Sequence, residues 1–359
     1  MIKYLFFSLV TIVLFTAVNC KKDPPVVPPV EKPPSHPTIT WTADTIHNPY
    51  GNYQLILSSI WGSDINDVYA VGHNEYGGRA SMFHFDGTQW NVVKITKGEG
   101  GFIGSSIDLL RIDGSGKNDV WAVGSRGSYN FSNVDSSLVI HYDGTTWKEV
   151  LMDRCKFSIQ GLKVVSPNDV YLGGSYGEVY HYDGVTFTKS VLDTNLIMNL
   201  GGDEQRMFIG GILWGKLNAY TSIYSKEKNS NWKLITSTTE SEYYQKHFYG
   251  RNDFYPVGDG RYFTGGEGIY TIVDTVWTEV YNDMRYSFYL IRGTSSTNIF
   301  ALSSNQRLAH WNGIDWKPVN MPERLNNYAT YGLWVHGKSI FINHAYSYDT
   351  NIIYRGRYE

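Results

Sequence analysis

The chain has 359 residues, a formal net charge of −3, 18% charged residues and 15% aromatic residues, among them 28 tyrosines. This balance is typical of β-sheets with aromatic edges and argues against a helical or disordered protein, and no segment shows sustained helical periodicity. Since there is neither a basic stripe nor an acidic tail, nothing favours nucleic acid as a partner.

The N-terminus carries a short apolar run. Lys3 is followed by apolar residues from Tyr4 to Val18, and Cys20 comes two residues later. The run is shorter than the roughly 20 residues that a transmembrane helix, the alternative reading, needs. The segment resembles a bacterial lipoprotein signal peptide with a lipobox, which implies cleavage after residue 19 and lipidation of Cys20. The resemblance implies a lipid-anchored protein of the bacterial cell envelope, at the outer membrane and facing either the periplasm or the outside.

A proline-rich segment follows the cysteine. Seven of the twelve prolines of the chain lie between residues 24 and 37. Such a composition predicts an extended polyproline II spacer. We therefore expect a signal peptide over residues 1–19, a lipidated cysteine and tether over residues 20–37, and one folded domain over residues 38–359.

The folded domain is built on a repeated phrase, His-aromatic-Asp-Gly-x-x-aromatic. The phrase begins at His84, His141 and His181, and in degenerate form at His310. Each copy follows a pair of short β-type runs, and Asp-Gly between two such runs is a strong hairpin signal. Self-similarity at this spacing predicts one supersecondary unit copied several times, and a four-stranded propeller blade fits the composition of each unit.

Counting the copies predicts an all-β fold, a seven-bladed β-propeller of four-stranded blades. Six blades have an aromatic at the start of their fourth strand: Trp90, Trp147, Phe187, Trp232, Trp277 and Trp316. The C-terminal residues 331–357 supply only three strands. A Trp-centred strand over residues 38–44 has the missing pattern, so we expect the N-terminal strand to complete the C-terminal blade and close the ring.

Residues 38–358 resemble known repeats at the points just described. Phrases such as Trp61-Gly62-Ser63, residues 118–124 and residues 141–147 are similar to bacterial β-propeller repeats of the type Trp-Gly-Ser…Asn-Asp-Val-Trp-Ala-Val-Gly…His-Tyr-Asp-Gly-x-x-Trp. Such repeats occur in exported proteins and carry no fixed activity. The Asp-Gly-x-x-Trp part is also similar to the Asp-box of sialidase-type propellers, but it lacks the Ser or Thr and the spacer of that box, so no sialidase chemistry is implied.

The repeated histidines invite a metal hypothesis, which their placement argues against. Because they occupy the same strand position in different blades, they should lie too far apart to share one ion. We expect each imidazole to bond a neighbouring backbone group or Asp, the repeated aspartates to form turns, and the repeated tryptophans to pack between blades. No metal and no cofactor is predicted.

Function is expected where the copies differ. The turns between first and second strands and between third and fourth strands are short and uniform, whereas the other two connections vary and should emerge on one face. That face is rich in Tyr, Trp and Arg, which carry binding energy at interfaces. The predicted ligand-binding residues are Tyr76, Arg126, Tyr129, Trp214, Tyr244, Arg251, Arg285 and Phe288.

These observations favour a non-catalytic binding module, monomeric and held at the membrane by its lipid, that presents the aromatic face to an extracellular glycan or an envelope protein. The alternative is a glycan-active hydrolase or lyase with its site in the central channel, since glycoside hydrolysis needs two carboxylates. The candidate acids and bases for that alternative are Asp108, Asp203, Glu204, Asp253, Glu267, His247, His336 and His344.

Overall fold

The computed structural model describes residues 35–75, 80–95, 107–126, 137–150, 158–194, 196–212, 221–238, 253–282, 287–303, 306–322 and 329–359. These residues form 28 β-strands and no helix, so none of the described segments could cross a bilayer as a helix. The strands are β1 Thr40–His47, β2 Leu55–Asp64, β3 Asp67–Asn74, β4 Met82–Phe85, β5 Trp90–Val92, β6 Ile107–Gly116, β7 Asp119–Arg126, β8 Ser137–Tyr142, β9 Trp147–Glu149, β10 Ile159–Ser166, β11 Asp169–Gly174, β12 Glu178–Tyr182, β13 Phe187–Val191, β14 Leu196–Gly202, β15 Arg206–Ile212, β16 Thr221–Glu227, β17 Lys233–Thr238, β18 Phe254–Gly258, β19 Arg261–Gly266, β20 Gly268–Val273, β21 Val276–Tyr281, β22 Phe288–Ser295, β23 Asn298–Ser303, β24 Leu308–Trp311, β25 Trp316–Val319, β26 Thr330–His336, β27 Ser339–Ala345 and β28 Thr350–Arg357.

The strands form antiparallel four-stranded blades of a β-propeller. Five sheets of four strands are separate: β10–β13, β14–β17, β18–β21, β22–β25, and β26–β28 with β1. The other eight strands, β2–β9, lie in one sheet that holds two successive runs of four. The all-β prediction and the four-stranded blade are thus confirmed.

The eight-stranded sheet differs from the prediction of one separate sheet for each repeat. A single residue pair, His73 of β3 with Asp108 of β6, joins its two runs. The imidazole Nδ1 of His73 also contacts the Asp108 carboxylate. The link forms because both residues lie at strand ends where two neighbouring runs converge.

The N-terminal strand pairs with the C-terminal strand over its full length. β1 is antiparallel to β28, from Thr40 opposite Arg357 to His47 opposite Thr350. A bidentate ion pair of Arg355 with Asp44, at 2.9 Å, holds the two strands together. The first strands of successive runs also contact one another in order: β2, β6, β10, β14, β18, β22, β26, and β26 again with β2.

The repeated Asp-Gly turns have one geometry. The carboxylate of Asp143 accepts the backbone N–H groups of Thr145 and Thr146, both at 3.0 Å, and Asp86 and Asp183 do the same in their turns. The glycine that follows has a φ near +90°, as at Gly144, a conformation that a side chain would strain. The aspartates are turn formers, as predicted.

The repeated histidines are structural. His84, His141 and His181 each bond the aspartate that opens the second strand of the same blade, Asp67, Asp119 and Asp169, at 2.7 Å. Each imidazole also stacks on the aromatic two residues after that aspartate, with ring centroids 4.2–4.3 Å apart. The predicted bond from imidazole to aspartate is therefore confirmed at these three positions.

The repeated tryptophans pack across the boundary between one run and the one before. Trp147 meets Tyr69 edge-on at 5.8 Å, Trp232 meets Tyr171 at 6.2 Å, and Trp316 meets Phe263 at 5.2 Å. The edge-to-face ring contacts and the burial of these side chains stabilise the boundaries between neighbouring runs.

Candidate functional site

The connections between strands divide the fold into two faces. On the first, which we call the regular face, first and second strands and third and fourth strands are joined by at most five residues, as between Asp64 and Asp67 or Phe85 and Trp90. On the second, the elaborated face, connections reach residues 93–106 and 239–253. The predicted difference between the faces is confirmed by the strand bounds, and the elaborated face is where binding residues usually lie.

Exposed tyrosines concentrate on the elaborated face. Among the described residues, the most exposed aromatic side chains are all tyrosines, each in a connection of this face or at a strand end beside it. The exposed large residues of the regular-face turns are aliphatic instead, as at Val185 and Ile314. The exposed tyrosines are Tyr50, Tyr53, Tyr176, Tyr331, Tyr346 and Tyr348.

Four of these tyrosines form one group, which we call the tyrosine patch: Tyr50, Tyr53, Tyr346 and Tyr348. The patch joins the β1–β2 and β27–β28 connections, because the Leu55 N–H donates to the carbonyl of Tyr348 at 2.9 Å. A second bond, from the Asn48 N–H to the carbonyl of Asp349 at 2.8 Å, fixes the same two connections. The backbone bonds hold the rings on a rigid base, which lowers the entropy cost of binding.

A carboxylate lies beside the patch. The hydroxyl of Tyr348 donates to Oε2 of Glu75 at 2.6 Å, and the Gln54 N–H donates to the same oxygen at 3.0 Å. The hydrogen bond from Tyr348, followed by that from Gln54, lowers the pKa of Glu75, and the same bond raises the pKa of Tyr348. The patch therefore presents phenol rings next to a fixed negative charge.

Tyr176 marks a further point of this face. It lies in the β11–β12 connection, is 56% exposed, and has a φ of +58°. A bulky residue in the left-handed region costs roughly 1–3 kcal/mol, and such conformations cluster at functional sites.

The inner strands carry a group of charges at matching positions. In each run of four strands, one residue of the first strand pairs with an aromatic residue of the second strand. In chain order, these first-strand residues are Trp61, Asp113, Lys163, Gly201, Tyr255, Arg292 and Trp334. Three of these seven are charged. Lys163 lies 3.6 Å from Asp113, and the Arg292 side chain keeps 38% exposure, so water reaches this group.

Arg111 and Asp253 each lie two residues before one of these first-strand positions, Asp113 and Tyr255 respectively. Asp253, just before β18, accepts the Ile291 N–H at 2.9 Å and pairs with Arg292. Burial acts to lower the pKa of Arg292, but Asp253 and Asp113 outweigh it and raise the pKa. Arg111 is half-buried, and burial lowers its pKa, opposed by Asp253 and reinforced by Arg292.

Most of the predicted ligand-binding residues lie outside the described residues, as does Cys20. Arg126 ends β7 on the elaborated face and pairs with Glu149. Phe288 is a correction: it is 1% exposed, packed with Phe263 and Val257, and does not display its ring. The reason is that Phe288 opens β22 and faces the preceding blade. The residues outside the described ranges are Tyr76, Tyr129, Trp214, Tyr244, Arg251 and Arg285.

Several acids and bases of the enzyme alternative have structural partners, and His247 lies outside the described residues. Asp108 contacts His73, Asp203 accepts the Tyr262 hydroxyl at 3.0 Å, and Asp253 is held by Arg292. His344 is fully buried beside Gln306, at 2.8 Å. Within the described residues, no three His, Cys, Asp or Glu side chains are grouped so as to hold a metal.

Sequence reasoning missed the tyrosine patch and the charged inner positions. The sequence of residues 48–53 and 346–349, in which turn formers alternate with tyrosine, could have indicated the patch. The sequence indicates the charged inner positions more weakly, because Asp113, Lys163 and Arg292 lie where the first repeat has a tryptophan.

A cleft of about 800 Å³ lies on the opposite, regular face, lined by residues such as His36, Phe341 and Arg355. His36 lies there because it bonds Asp315 at 2.9 Å and His310 at 3.1 Å. The first described residues therefore reach the fold on the face opposite the tyrosine patch. We assign the candidate site to the elaborated face, because the exposed aromatic rings lie there.

Three solved structures are similar to this chain. YCF48 bound to a D1 peptide has a TM-score of 0.59 at 13% identity, covering 89% of this chain and 99% of that one. A catalytically inactive virginiamycin B lyase from Staphylococcus aureus, with quinupristin, has a TM-score of 0.60 at 9% identity, covering 88% and 99%. The extracellular domain of a putative one-component system from B. thetaiotaomicron has a TM-score of 0.58 at 12% identity, covering 87% and 40%. These identities show the β-propeller fold alone, and no protein-family model and no curated protein matches the chain.

Proposed function

We propose that this protein is a non-catalytic binding module, held at the bacterial cell envelope by a lipid on Cys20, that presents the elaborated face of a propeller to a protein partner. The observation that carries the proposal is the segregation of exposed tyrosines to one face among the described residues. Tyrosine supplies large, rigid contact area with a hydrogen-bonding end, which suits recognition surfaces.

The scaffold for this face is a closed ring of seven blades. The two runs in the eight-stranded sheet are counted as two blades, because one residue pair joins them while each run pairs internally along its strands. Seven first strands each contact the next, and β1 completes the blade of β26–β28. Closure removes open sheet edges and makes a rigid base for the connections.

The tether reaches the module on the regular face. His36 is bonded there, on the face opposite the tyrosine patch. Lipidation is tested by fractionating cells that produce the full chain. Wild type should sediment with membranes, whereas Cys20→Ala should move to the soluble fraction, and membrane association that survives Cys20→Ala would refute the anchor.

A protein is the favoured partner. YCF48 is named as binding a peptide, and a second similar structure is an extracellular domain. The patch also exposes tyrosine rings, a side chain that is enriched at protein interfaces. A glycan, which stacks on the same rings, is the competing outcome of the test.

The test uses a photo-crosslinking aromatic amino acid at two positions of one blade. Tyr176 is on the elaborated face, and Val185, 83% exposed, is in the β12–β13 turn of the regular face. In cells, we expect a defined protein adduct from position 176 and none from position 185. The adduct should weaken when Tyr348→Ala is added.

Adducts from position 185 alone, or equally from both positions, would refute the assignment of the face. If no protein adduct forms, and the full chain binds a glycan array through a contact that Tyr348→Ala removes, the partner is a glycan and not a protein.

A further inference from the structure

One cation on the inner strands stands without a carboxylate partner among the described residues. The Nη1 atom of Arg111 donates to the carbonyl of Leu110, the residue before it, at 2.9 Å. Its neighbours are matched, since Arg292 pairs with Asp253 and Lys163 lies 3.6 Å from Asp113. Among the residues that the structure describes, these three cations face two carboxylates, an excess of one positive charge.

Arg111 is half-buried on β6. Desolvation of its guanidinium and repulsion from Arg292 lower its pKa, and attraction from Asp253, which already pairs with Arg292, opposes them. A guanidinium in such surroundings gains stability when a carboxylate comes within ion-pair distance of it. Water already reaches the group, because the Arg292 and Lys163 side chains are 38% and 31% exposed.

We propose that Arg111 binds the carboxylate of an acidic side chain, carried by a peptide segment of the partner that enters from the elaborated face. The proposal rests on the proposed function, for which it names the ligand chemistry. A planar guanidinium holds a carboxylate through two parallel N–H donors, which gives both strength and orientation.

The charge count selects a single carboxylate. One negative charge neutralises the excess, whereas a dianionic phosphate would leave a net negative charge near Asp113 and Asp253. Such like-charge contacts are unfavourable in a partly buried site.

The surroundings favour a peptide over a uronic-acid glycan. The positions that match Arg111 in the other runs contain no aromatic ring on which a sugar face could stack: Ser59, Gly161, Asn199, Asp253, Leu290 and Gly332. Glycine at two of these positions leaves room for a passing main chain.

The test compares two pools of N-acetylated, C-amidated octapeptides, identical except for glutamate or glutamine at one central position. The full chain should bind the glutamate pool at least about tenfold more tightly. Arg111→Gln should abolish this preference without lowering the unfolding temperature, because the guanidinium makes no ion pair with a described carboxylate. Lys148→Gln changes the net charge equally at an exposed pair with Asp143, and should keep the preference.

Equal binding of both pools by the wild type, or an unchanged preference in Arg111→Gln, would overturn the proposal. If Arg111→Gln does not fold, Arg111→Lys provides the comparison, since it keeps the charge without the bidentate fork and should weaken the preference by about tenfold. A glucuronate oligosaccharide that displaces the glutamate pool from the protein would overturn the assignment of the ligand as a peptide. If the wild type shows no preference for glutamate but crosslinks a protein from position 176, the carboxylate proposal fails and the proposed function stands.

Discussion

The stability of this protein should fall on mild acidification because of one histidine. Burial, with a smaller contribution from the nearby His36, lowers the pKa of His310 from 6.5 to about 4. His310 is 2% exposed, and its Nε2 bonds Oδ1 of Asn298 at 3.0 Å. In the other three copies this partner is an aspartate.

The hydrogen bonds fix which nitrogens carry protons. The Asn298 amide nitrogen donates to two hydroxyl groups, so its oxygen accepts from Nε2–H of His310. Nδ1 of a neutral His310 is then an acceptor, and His36 must donate to it. Protonating Nδ1 of His310 would remove this acceptor and break the hydrogen bond from His36.

The magnitude follows from proton linkage. The unfolded chain takes up a proton near pH 6.5 and the folded chain only near pH 4, so the stabilisation is present above pH 6.5 and is lost as the pH falls. At 1.36 kcal/mol for each unit of pKa difference, the loss is roughly 2 kcal/mol by pH 5 and 3 kcal/mol near pH 4. The window from pH 7 to 5 lies above the range in which most carboxylates titrate.

The assay is urea denaturation of wild type, His310→Gln and His84→Gln at pH 7 and pH 5. The free energy of unfolding of the wild type should fall by about 2 kcal/mol more than that of His310→Gln. His84→Gln, which removes a histidine paired with Asp67, should keep the acid sensitivity. Equal losses in wild type and His310→Gln would refute the reasoning.

Three further predictions concern turns, blade packing and the closing strand. Gly144→Ala should lower the free energy of unfolding by about 1–2 kcal/mol, because φ is +90° and a Cβ would lie 2.8 Å from Asn118. Gly116→Ala is the control: a Cβ there would have nothing within 4 Å, so the same denaturation assay should show no change. Trp147→Ala should cost about 3–5 kcal/mol, because the indole is 6% exposed between two blades, and an unchanged urea midpoint would contradict this. Asp44→Asn should cost about 1 kcal/mol, allowing for solvent screening, and speed amide exchange in β28; wild-type exchange rates there would count against the role of the ion pair.

Much of the fold could be predicted because each repeat specifies its own local structure. Asp143 and Gly144 define a turn by their own backbone preferences, and Trp147 follows at a fixed spacing, so strand order and hairpins are local properties. The pairing of β1 with β28 was also predictable, because three C-terminal strands lacked a fourth.

The candidate site could be predicted less well because it depends on contacts between distant segments. The tyrosine patch joins residues 50–53 to residues 346–348, and nothing local indicates that they meet. Arg111 lies in a sequence that is typical of any inner strand. Whether a described carboxylate comes within ion-pair distance of it depends on which residues the neighbouring blades place beside it. Phe288 was assigned to the surface because it follows a variable connection, although it begins a strand whose side chain faces the core.

The pairing of the two chain ends has a mechanical consequence. β1 runs from Thr40, beside the regular face, to His47, beside the tyrosine patch, and it lies antiparallel to β28 along its whole length. In the proposed lipid-anchored module, a pull between the tether and a bound partner would be directed along this strand, so the ladder would be loaded in shear and its hydrogen bonds would share the force. A strand attached in the opposite sense would be peeled away one bond at a time.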